Sequence, residues 1–235
     1  MESNQTPVAR WAYFQDSRPR DGGVNEDATF CAPVHDGRLL MAAVADGVGG
    51  RPGGARAAQK AIQLTLRRAK SMLATVVLDH SPWRMALEAV HGELCRERGG
   101  GETALTVLIT DGERWTAAWA GDSRLYRLRG GEVTLLTQPR WRTGYLGGER
   151  VDPQAISGTG EPGDRLVLLS DGIWKYVQAD RFASHLSATP AQIMTRLLQE
   201  AGRLLSGRLV DDASGVVVVL GAPRESADPD AAPRA

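Results

Sequence analysis

The sequence predicts an α+β fold in which two antiparallel β-sheets pack face to face and helices cover their outer surfaces, a four-layer α/β/β/α sandwich. Short apolar runs follow one another through tight Asp-Gly and Gly-Gly turns, which is typical of β-hairpins. Longer segments between the hairpins instead carry apolar residues at the spacing of one helix face. Hairpins that alternate with amphipathic helices are expected to form two layers of sheet with helices outside them.

The composition is that of a single globular domain. The 235 residues can bury a sizeable core, and 28 basic residues balance 28 acidic ones, so we expect no general attraction to nucleic acid or to an acidic membrane. Cys31 and Cys95 fit a reducing cytoplasm, and both are expected in the core. No apolar run reaches the ~20 residues that span a bilayer. We therefore expect a soluble cytoplasmic protein with one domain at 8–221 and disordered tails at 1–7 and 222–235.

The first half of the chain is expected to contain three strands and two helices. The predicted strands are 8–15, 28–34 and 39–45, and the predicted helices are 54–73 and 81–98. The turn at His35-Asp36-Gly37 joins the second strand to the third as a hairpin. Asp27 and Asp46 should therefore lie at the same end of an antiparallel pair.

The second half is expected to begin with four strands in close succession. The predicted strands are 103–110, 114–120, 124–128, 133–137, 165–169 and 215–220, with helices at 173–177 and after the capping box at Thr189. Between the fourth and fifth of these strands, residues 138–163 are rich in Gly, Pro and polar residues. A loop that long is usually functional, so we interpret it as an active-site flap.

Acidic residues recur at the ends of the predicted elements. Glu26-Asp27, Asp46-Gly47, Asp171-Gly172 and Asp211-Asp212 come from four distant parts of the chain. Each alone is most simply an exposed turn. Carboxylates that cluster in a folded site need protons or cations, and oxygen ligands without His or Cys favour Mg²⁺ or Mn²⁺. The recurrence therefore favours a site for divalent ions.

Five motifs in a fixed order carry a family resemblance. They are NED at 25–27, ADGVGG at 45–50, GDSR at 121–124, LLSDGIW at 168–174 and DDAS at 211–214. In this order and spacing the chain resembles the metal-dependent serine/threonine protein phosphatases of the 2C type, the PPM family, in a bacterial-like form. The resemblance runs from about Val24 to Leu220. It implies the same sandwich fold and a phosphorylated protein as substrate, so that the enzyme would oppose a serine/threonine kinase. It also implies hydrolysis by a water that bridges two Mn²⁺ or Mg²⁺ ions.

The resemblance also implies how the two ions are held. Asp46 would contact both ions, and Asp171 and Asp211 would complete the first. The carbonyl of Gly47 and, through water, the carboxylate of Glu26 would serve the second. The implied enzyme is a phosphoric monoester hydrolase. Its reaction would proceed without a covalent enzyme intermediate.

Three further residues have expected roles from the same resemblance. Asp27 would hold metal-bound waters, and the substrate phosphate would meet an arginine. The family has that arginine four residues before the position of Glu26, where this chain has Gly22. Arg20 is the candidate and Arg18 the reserve, and the alternative is that both are solvated loop charges.

The family often builds a third metal site from two aspartates, of which this chain has one. Asp122 matches the first, but Lys175 stands at the second position. Since residues 171 and 175 share one helix face, Lys175 is expected to pair with Asp122 and to occupy the site as a built-in charge. The third ion is then expected to be absent or weak. The alternative is that Lys175 points into solvent. The flap also departs from the family, with Pro139–Arg142 in place of Asp-His-Ser.

Three functions remain open on the sequence alone. The intact carboxylates favour a phosphoprotein phosphatase that dephosphorylates serine and threonine in signalling. Gly22 and Lys175 leave open a regulatory binding protein of the same fold that has lost turnover. A phosphatase for small metabolites would share all the chemistry. Arginines and aromatic residues at 140–142 could contact a phosphopeptide, whereas the neutral overall charge argues against nucleic acid.

Overall fold

The structure is a computed structural model that describes residues 10–49, 52–97, 99–137, 144–178, 181, 188–204 and 206–221. Ten strands and four α-helices lie in this part of the chain. In chain order they are β1 Trp11–Arg18, β2 Asp27–Val34, β3 Leu39–Gly47, α1 Gly54–Ser71, α2 Ser81–Cys95, β4 Thr103–Thr110, β5 Arg114–Ala120, β6 Arg124–Arg129, β7 Glu132–Leu135, β8 Gln154–Thr159, β9 Arg165–Leu169, α3 Asp171–Trp174, α4 Pro190–Ala201 and β10 Ala213–Leu220.

The strands form two antiparallel sheets of five strands each, which confirms the predicted fold class. The first sheet has the order β1-β10-β9-β6-β7, and the second has the order β2-β3-β4-β5-β8. In the first sheet, the last strand in sequence, β10, lies between β1 and β9. In the second sheet, the β2–β3 hairpin lies at one edge and the later strands follow it in chain order. Each sheet therefore combines strands that are close in sequence with strands that are far apart.

The alternation of side chains along β3 explains how the layers pack. Met41, Ala43 and Ala45 face helices α1 and α2, in one apolar cluster. Leu40 and Val44 face the other way, against residues of the first sheet, in a second cluster. Because successive strand residues point to opposite faces, one fully buried strand supplies two apolar layers.

The outer face of the first sheet has its own helical cover. Val167, Leu169 and Val217 pack against α3 and α4, where Ile193 and Leu197 form the apolar stripe of α4. This third cluster completes the order helix, sheet, sheet, helix. The capping box that opens α4 is present as expected, with the Thr189 hydroxyl accepting from the Gln192 amide.

The predictions were wrong in three places that matter for the site. Residues 138–163 were expected to be one loop, but β8 lies within them and pairs with β5 as an edge strand. Leu146 forms an additional bridge to Thr103. Of the two cysteines expected in the core, Cys31 is buried but Cys95 is exposed. Residues 138–143, which include Pro139–Arg142, lie outside the described residues, as do the predicted tails.

Several boundaries also shift. β1 runs to Arg18, and α2 begins at Ser81, whose amide donates to the carboxylate of Asp79. His80 directly precedes α2, and its side chain makes no capping hydrogen bond. None of the helices in the described part of the chain is long and apolar enough to cross a membrane.

Candidate metal and phosphate site

A cavity of about 300 Å³ opens where β2 and β10 begin and where β3 and β9 end. Its walls bring together every residue that the sequence analysis assigned to the site. They are Arg20, Glu26, Asp27, Asp46, Gly47, Asp122, Asp171 and Asp211, joined by Val48, Gly49, Tyr145 and Asp212. Acids that are far apart in the sequence therefore share one small volume.

Asp27 and Asp46 are directly opposite each other in the β2–β3 ladder, as the hairpin predicted. Burial raises the pKa of Asp46 to about 9, with further contributions from the charges of Asp27, Asp171 and Asp122. Burial also raises the pKa of Asp27 to about 7, although hydrogen bonds from Ser214 and Ser170 oppose the change. Both shifts report carboxylates that lack a compensating cation.

Asp171 approaches this pair because Gly172 allows two backbone segments to touch. A Cβ atom at Gly172 would lie 1.9 Å from the carbonyl oxygen of Asp212, so no other residue fits there without displacing β10. The amide of Asp171 lies 3.5 Å from Oδ2 of Asp46. The Asp-Gly pair thus acts as a close contact between strands and not as an exposed turn.

Asp212 ties the loop before β2 to the start of β10. Its carboxylate accepts from the Arg20 amide at 2.7 Å and from the Glu26 amide at 2.6 Å, and the side chain is 5% exposed. The sequence analysis noted Asp212 only as the neighbour of Asp211. Its role follows from contacts across more than 180 residues, which no local pattern reveals.

The two candidate arginines take different positions. Arg20 lines the cavity, and its guanidinium lies 4.0 Å from the Glu26 carboxylate. Arg18 pairs with Asp16 at 2.8 Å on the exposed face of β1 and is not among the residues that line the cavity. The geometry therefore favours Arg20 over the reserve candidate.

Lys175 turns toward the acids, not into solvent. Its Nζ atom lies 2.5 Å from Oδ2 of Asp171, one helical turn away. Burial lowers the pKa of Lys175, but the bond to Asp171 and the nearby acids outweigh this, so the net pKa is raised. Burial and Asp171 raise the pKa of Asp122, and Lys175 partly offsets that shift. Lys175 is thus a built-in cation among the acids.

Tyr145 is a cavity residue that the sequence analysis missed. It follows Gly144 and precedes Leu146, whose amide and carbonyl both bond Thr103 at 2.9 and 3.0 Å. Thr103 in turn donates its hydroxyl to the carbonyl of Asp46 at 2.8 Å. Because Gly121 has no side chain, the tyrosine ring can pack beside it: a Cβ there would lie 3.2 Å from the ring. Burial, followed by the charges of Asp122, Asp46 and Asp171, raises the pKa of Tyr145 to about 12.

The donor set fits hard divalent cations. It consists of carboxylates and backbone oxygens, and buried Oδ2 of Asp27 has no hydrogen-bond partner among the described residues. In the described part of the chain, no three acidic, histidine or cysteine side chains already form a cage for one ion. Mg²⁺ and similar ions commonly bind one or two carboxylates and keep several waters, so such a cage is not required.

A family model described as protein phosphatase 2C matches residues 14–203 of the chain. The match covers four of the five motifs, and Asp211 and Asp212 lie just beyond it. No curated protein sequence matches the chain significantly.

Solved bacterial structures share the fold at 26–27% identity. PppA, described as a key regulatory component of T6SS in Pseudomonas aeruginosa, is 26% identical over 91% of this chain and 99% of its own, with a TM-score of 0.73. The Mycobacterium tuberculosis serine/threonine phosphatase PstP/Ppp is 26% identical over 89% and 98%, with a TM-score of 0.73. The catalytic domain of the phosphatase PstP in complex with two manganese ions is 27% identical over 89% and 98%, with a TM-score of 0.69.

Proposed function

Because the chain belongs to the protein phosphatase 2C family, we propose that it hydrolyses phosphoserine and phosphothreonine in a protein substrate with two divalent cations, Mn²⁺ or Mg²⁺. The observation that carries the proposal is the cavity in which carboxylates from five parts of the chain meet. The similar PstP domain with two manganese ions supports the choice of metal. The catalytic domain would span residues 8–221, and the substrate would be a protein that a serine/threonine kinase has phosphorylated.

The carboxylates divide naturally into ligands and supporting groups. Asp46 would serve both ions, with Asp171 and Asp211 at one and Glu26 and the Gly47 carbonyl at the other. Bound divalent ions lower the pKa of water and neutralise the charge of a phosphate, which is the chemistry that the reaction needs.

Asp27 and Asp122 are placed to support those ligands. The free Oδ2 of Asp27 accepts hydrogen bonds from water in the cavity and so orients it. Asp122 would be the remaining acid of a third site, which the Lys175 ammonium fills electrostatically. We therefore expect the third ion to be absent or weak.

Two side chains hold the substrate phosphate. Among the described residues that line the cavity, Arg20 and Tyr145 are the ones with N–H or phenolic O–H donors, and a phosphate dianion offers only acceptors. Arg20 supplies a charge-assisted hydrogen bond at the entrance. The Tyr145 hydroxyl remains protonated near neutral pH, because burial and then the surrounding carboxylates raise its pKa to about 12. It therefore donates to a phosphoryl or leaving-group oxygen.

The ion pair between Lys175 and Asp171 favours a second candidate. A lysine that occupies a ligand would weaken metal binding, and the chain would then act as a regulatory binding protein without turnover. Release of phosphate from p-nitrophenyl phosphate, with and without Mn²⁺, separates the two. We expect manganese-dependent release that EDTA abolishes. A protein that binds Mn²⁺ and phosphopeptide but releases no phosphate would establish the second candidate instead.

A further inference from the structure

A groove outside the metal and phosphate cavity is lined by the beginning of β6, the end of α3 with the residues that follow it, and helix α4. It consists of two adjoining depressions of about 640 and 390 Å³, which share Val177, Arg181, Glu200 and Arg203. Arg124 and Lys175 line one end, and Arg196 lines the other. We call this surface the basic groove.

Positive charge predominates in the basic groove. Among its described residues, the five cations Arg124, Lys175, Arg181, Arg196 and Arg203 face one carboxylate, Glu200. Both Arg181 and Arg203 bond that carboxylate, the latter at 3.0 Å. Lys175 is already paired with Asp171, which lies outside the groove. Among the described lining residues, the four arginines still outnumber the one carboxylate by three, so the groove keeps a net positive charge.

Aromatic side chains give the groove a firm wall. The Arg124 guanidinium lies 3.4 Å from the ring centroid of Trp174, and Nζ of Lys175 lies 5.7 Å from it. Arg124 also donates to the Tyr126 hydroxyl at 3.1 Å. These contacts hold the cations in place without cancelling their charge, since an aromatic face is not an anion.

The basic groove adjoins the cavity through Lys175. This residue lines the groove, while its ammonium bonds Asp171, which lines the cavity. A peptide whose phosphorylated residue enters the cavity would therefore place its neighbouring residues in the groove.

We propose that the basic groove binds acidic residues that flank the phosphorylated serine or threonine of a protein substrate. The proposal rests on the proposed phosphatase function. It assigns the groove to substrate selection and predicts that acidic phosphopeptides are preferred. Charge complementarity favours this occupant over an apolar or basic segment.

The test compares two phosphothreonine peptides that differ only in having three Glu or three Gln residues on each side. We expect kcat/KM to be roughly tenfold higher for the Glu peptide, because each exposed ion pair changes affinity roughly two- to fivefold. The difference should come from a lower KM for the Glu peptide, with a similar kcat for both. The double variant Arg196→Gln, Arg203→Gln should reduce the ratio below about twofold. It should leave hydrolysis of p-nitrophenyl phosphate unchanged.

A matched control removes two arginines elsewhere. Arg67 and Arg84 are exposed and pair with Glu93 and Asp152, away from the groove. Arg67→Gln, Arg84→Gln changes the net charge equally and should keep the preference for the Glu peptide. If both double variants lower the ratio alike, overall charge and not the groove selects the substrate.

A binding measurement separates failure of this proposal from failure of the proposed function. Fluorescence anisotropy with a labelled, unphosphorylated Glu-rich peptide needs no turnover. Binding that salt and Arg196→Gln, Arg203→Gln both weaken supports the groove even if no phosphate is released. Equal kcat/KM for the two peptides overturns the proposal, as does a groove that binds a single-stranded oligonucleotide but not the acidic peptide.

Discussion

The two rims of the cavity carry the same kind of acid in different electrostatic surroundings. The first rim consists of Asp27 and Asp46 on the β2–β3 hairpin and of Glu26 directly before it, and the Arg20 guanidinium lies 4.0 Å from Glu26. The second rim, Asp122 and Asp171, has the Lys175 ammonium 2.5 Å from Asp171. The chain thus supplies its own strong counter-charge on one side only.

This difference identifies where an external cation is most needed. Burial, followed by repulsion from nearby carboxylates, raises the pKa of Asp46 to about 9 and that of Asp27 to about 7, so without ions the first rim holds protons near neutral pH. The fold survives this cost, because each buried aliphatic side chain contributes roughly 1.5–3 kcal/mol and three apolar layers surround the rims. The first rim is therefore a preformed site that holds protons until divalent cations replace them.

The largest expected effect compares Asp46→Asn with Asp171→Asn. Both should lower kcat for p-nitrophenyl phosphate roughly 1,000-fold or more, since each removes a proposed metal ligand. In EDTA at pH 8, Asp46→Asn should raise the free energy of unfolding by about 1 kcal/mol or more, whereas Asp171→Asn should not, because Lys175 loses its partner. Urea unfolding measures this. Equal stabilisation by both changes would contradict the contrast between the rims.

Tyr145→Phe tests the residue that faces both rims. Removing one hydrogen-bond donor to the phosphate should lower kcat/KM roughly 10- to 100-fold. Mn²⁺ affinity, measured by calorimetry, should be unchanged, because the hydroxyl is not a proposed ligand. Tyr13→Phe on exposed β1 is the control. A weaker Mn²⁺ affinity in Tyr145→Phe would assign the tyrosine to the metal site instead.

Stability without metal should depend on pH through the first rim. A carboxyl whose pKa is higher in the folded than in the unfolded state binds more protons when folded, so the free energy of unfolding falls as pH rises. We expect a decrease on the order of 2 kcal/mol between pH 5 and pH 9 in EDTA, with Asp27 and Asp46 losing their protons in turn. Asp46→Asn should flatten the profile. A free energy of unfolding that does not change with pH in the unchanged protein would mean that folding does not raise the pKa values of Asp27 and Asp46.

The smallest effect concerns the second rim. Lys175→Asp replaces the built-in cation by an acid and should add a low-affinity Mn²⁺ site. In a titration with Mn²⁺, occupation of this site should change the rate of hydrolysis roughly twofold to fivefold. Lys175→Gln is the control, since it removes the charge without adding a ligand. If calorimetry finds one additional bound Mn²⁺ in Lys175→Asp but not in Lys175→Gln, the assignment of Lys175 to the third site is supported. A tightly bound third ion in the unchanged protein would refute the account of Lys175.

The sequence predicts the acids well because their position depends on strand ends. An apolar run followed by Asp-Gly fixes where Asp46 and Asp171 stand, and a short hairpin fixes Asp27 opposite Asp46. The family resemblance, which depends on the order of the five motifs, then assigned these acids to one site. All the predicted site residues line one cavity, although their roles toward metal and phosphate stay predictions.

The missed features depend on contacts between distant segments. Tyr145 lies in a Gly-rich stretch without periodicity, and only its neighbour's bridge to Thr103 places it beside Asp46. β8 was missed because an edge strand with Gly158 and Ser157 shows no clear alternation. Helical spacing placed Lys175 near the acids, but its ammonium bonds Asp171 and not the expected Asp122, because side-chain geometry decides between the two.

The place of β10 in the first sheet has a consequence for synthesis on the ribosome. This strand is made last among the ten, yet it pairs with β1, where Leu220 is opposite Trp11, and with β9. It also brings Asp211 and Asp212 to the cavity. Until residue 220 has left the exit tunnel, a nascent chain can form the β2–β3 hairpin but cannot close the first sheet. The complete set of acidic residues is therefore assembled only after β10 has been synthesised and has paired with its neighbours.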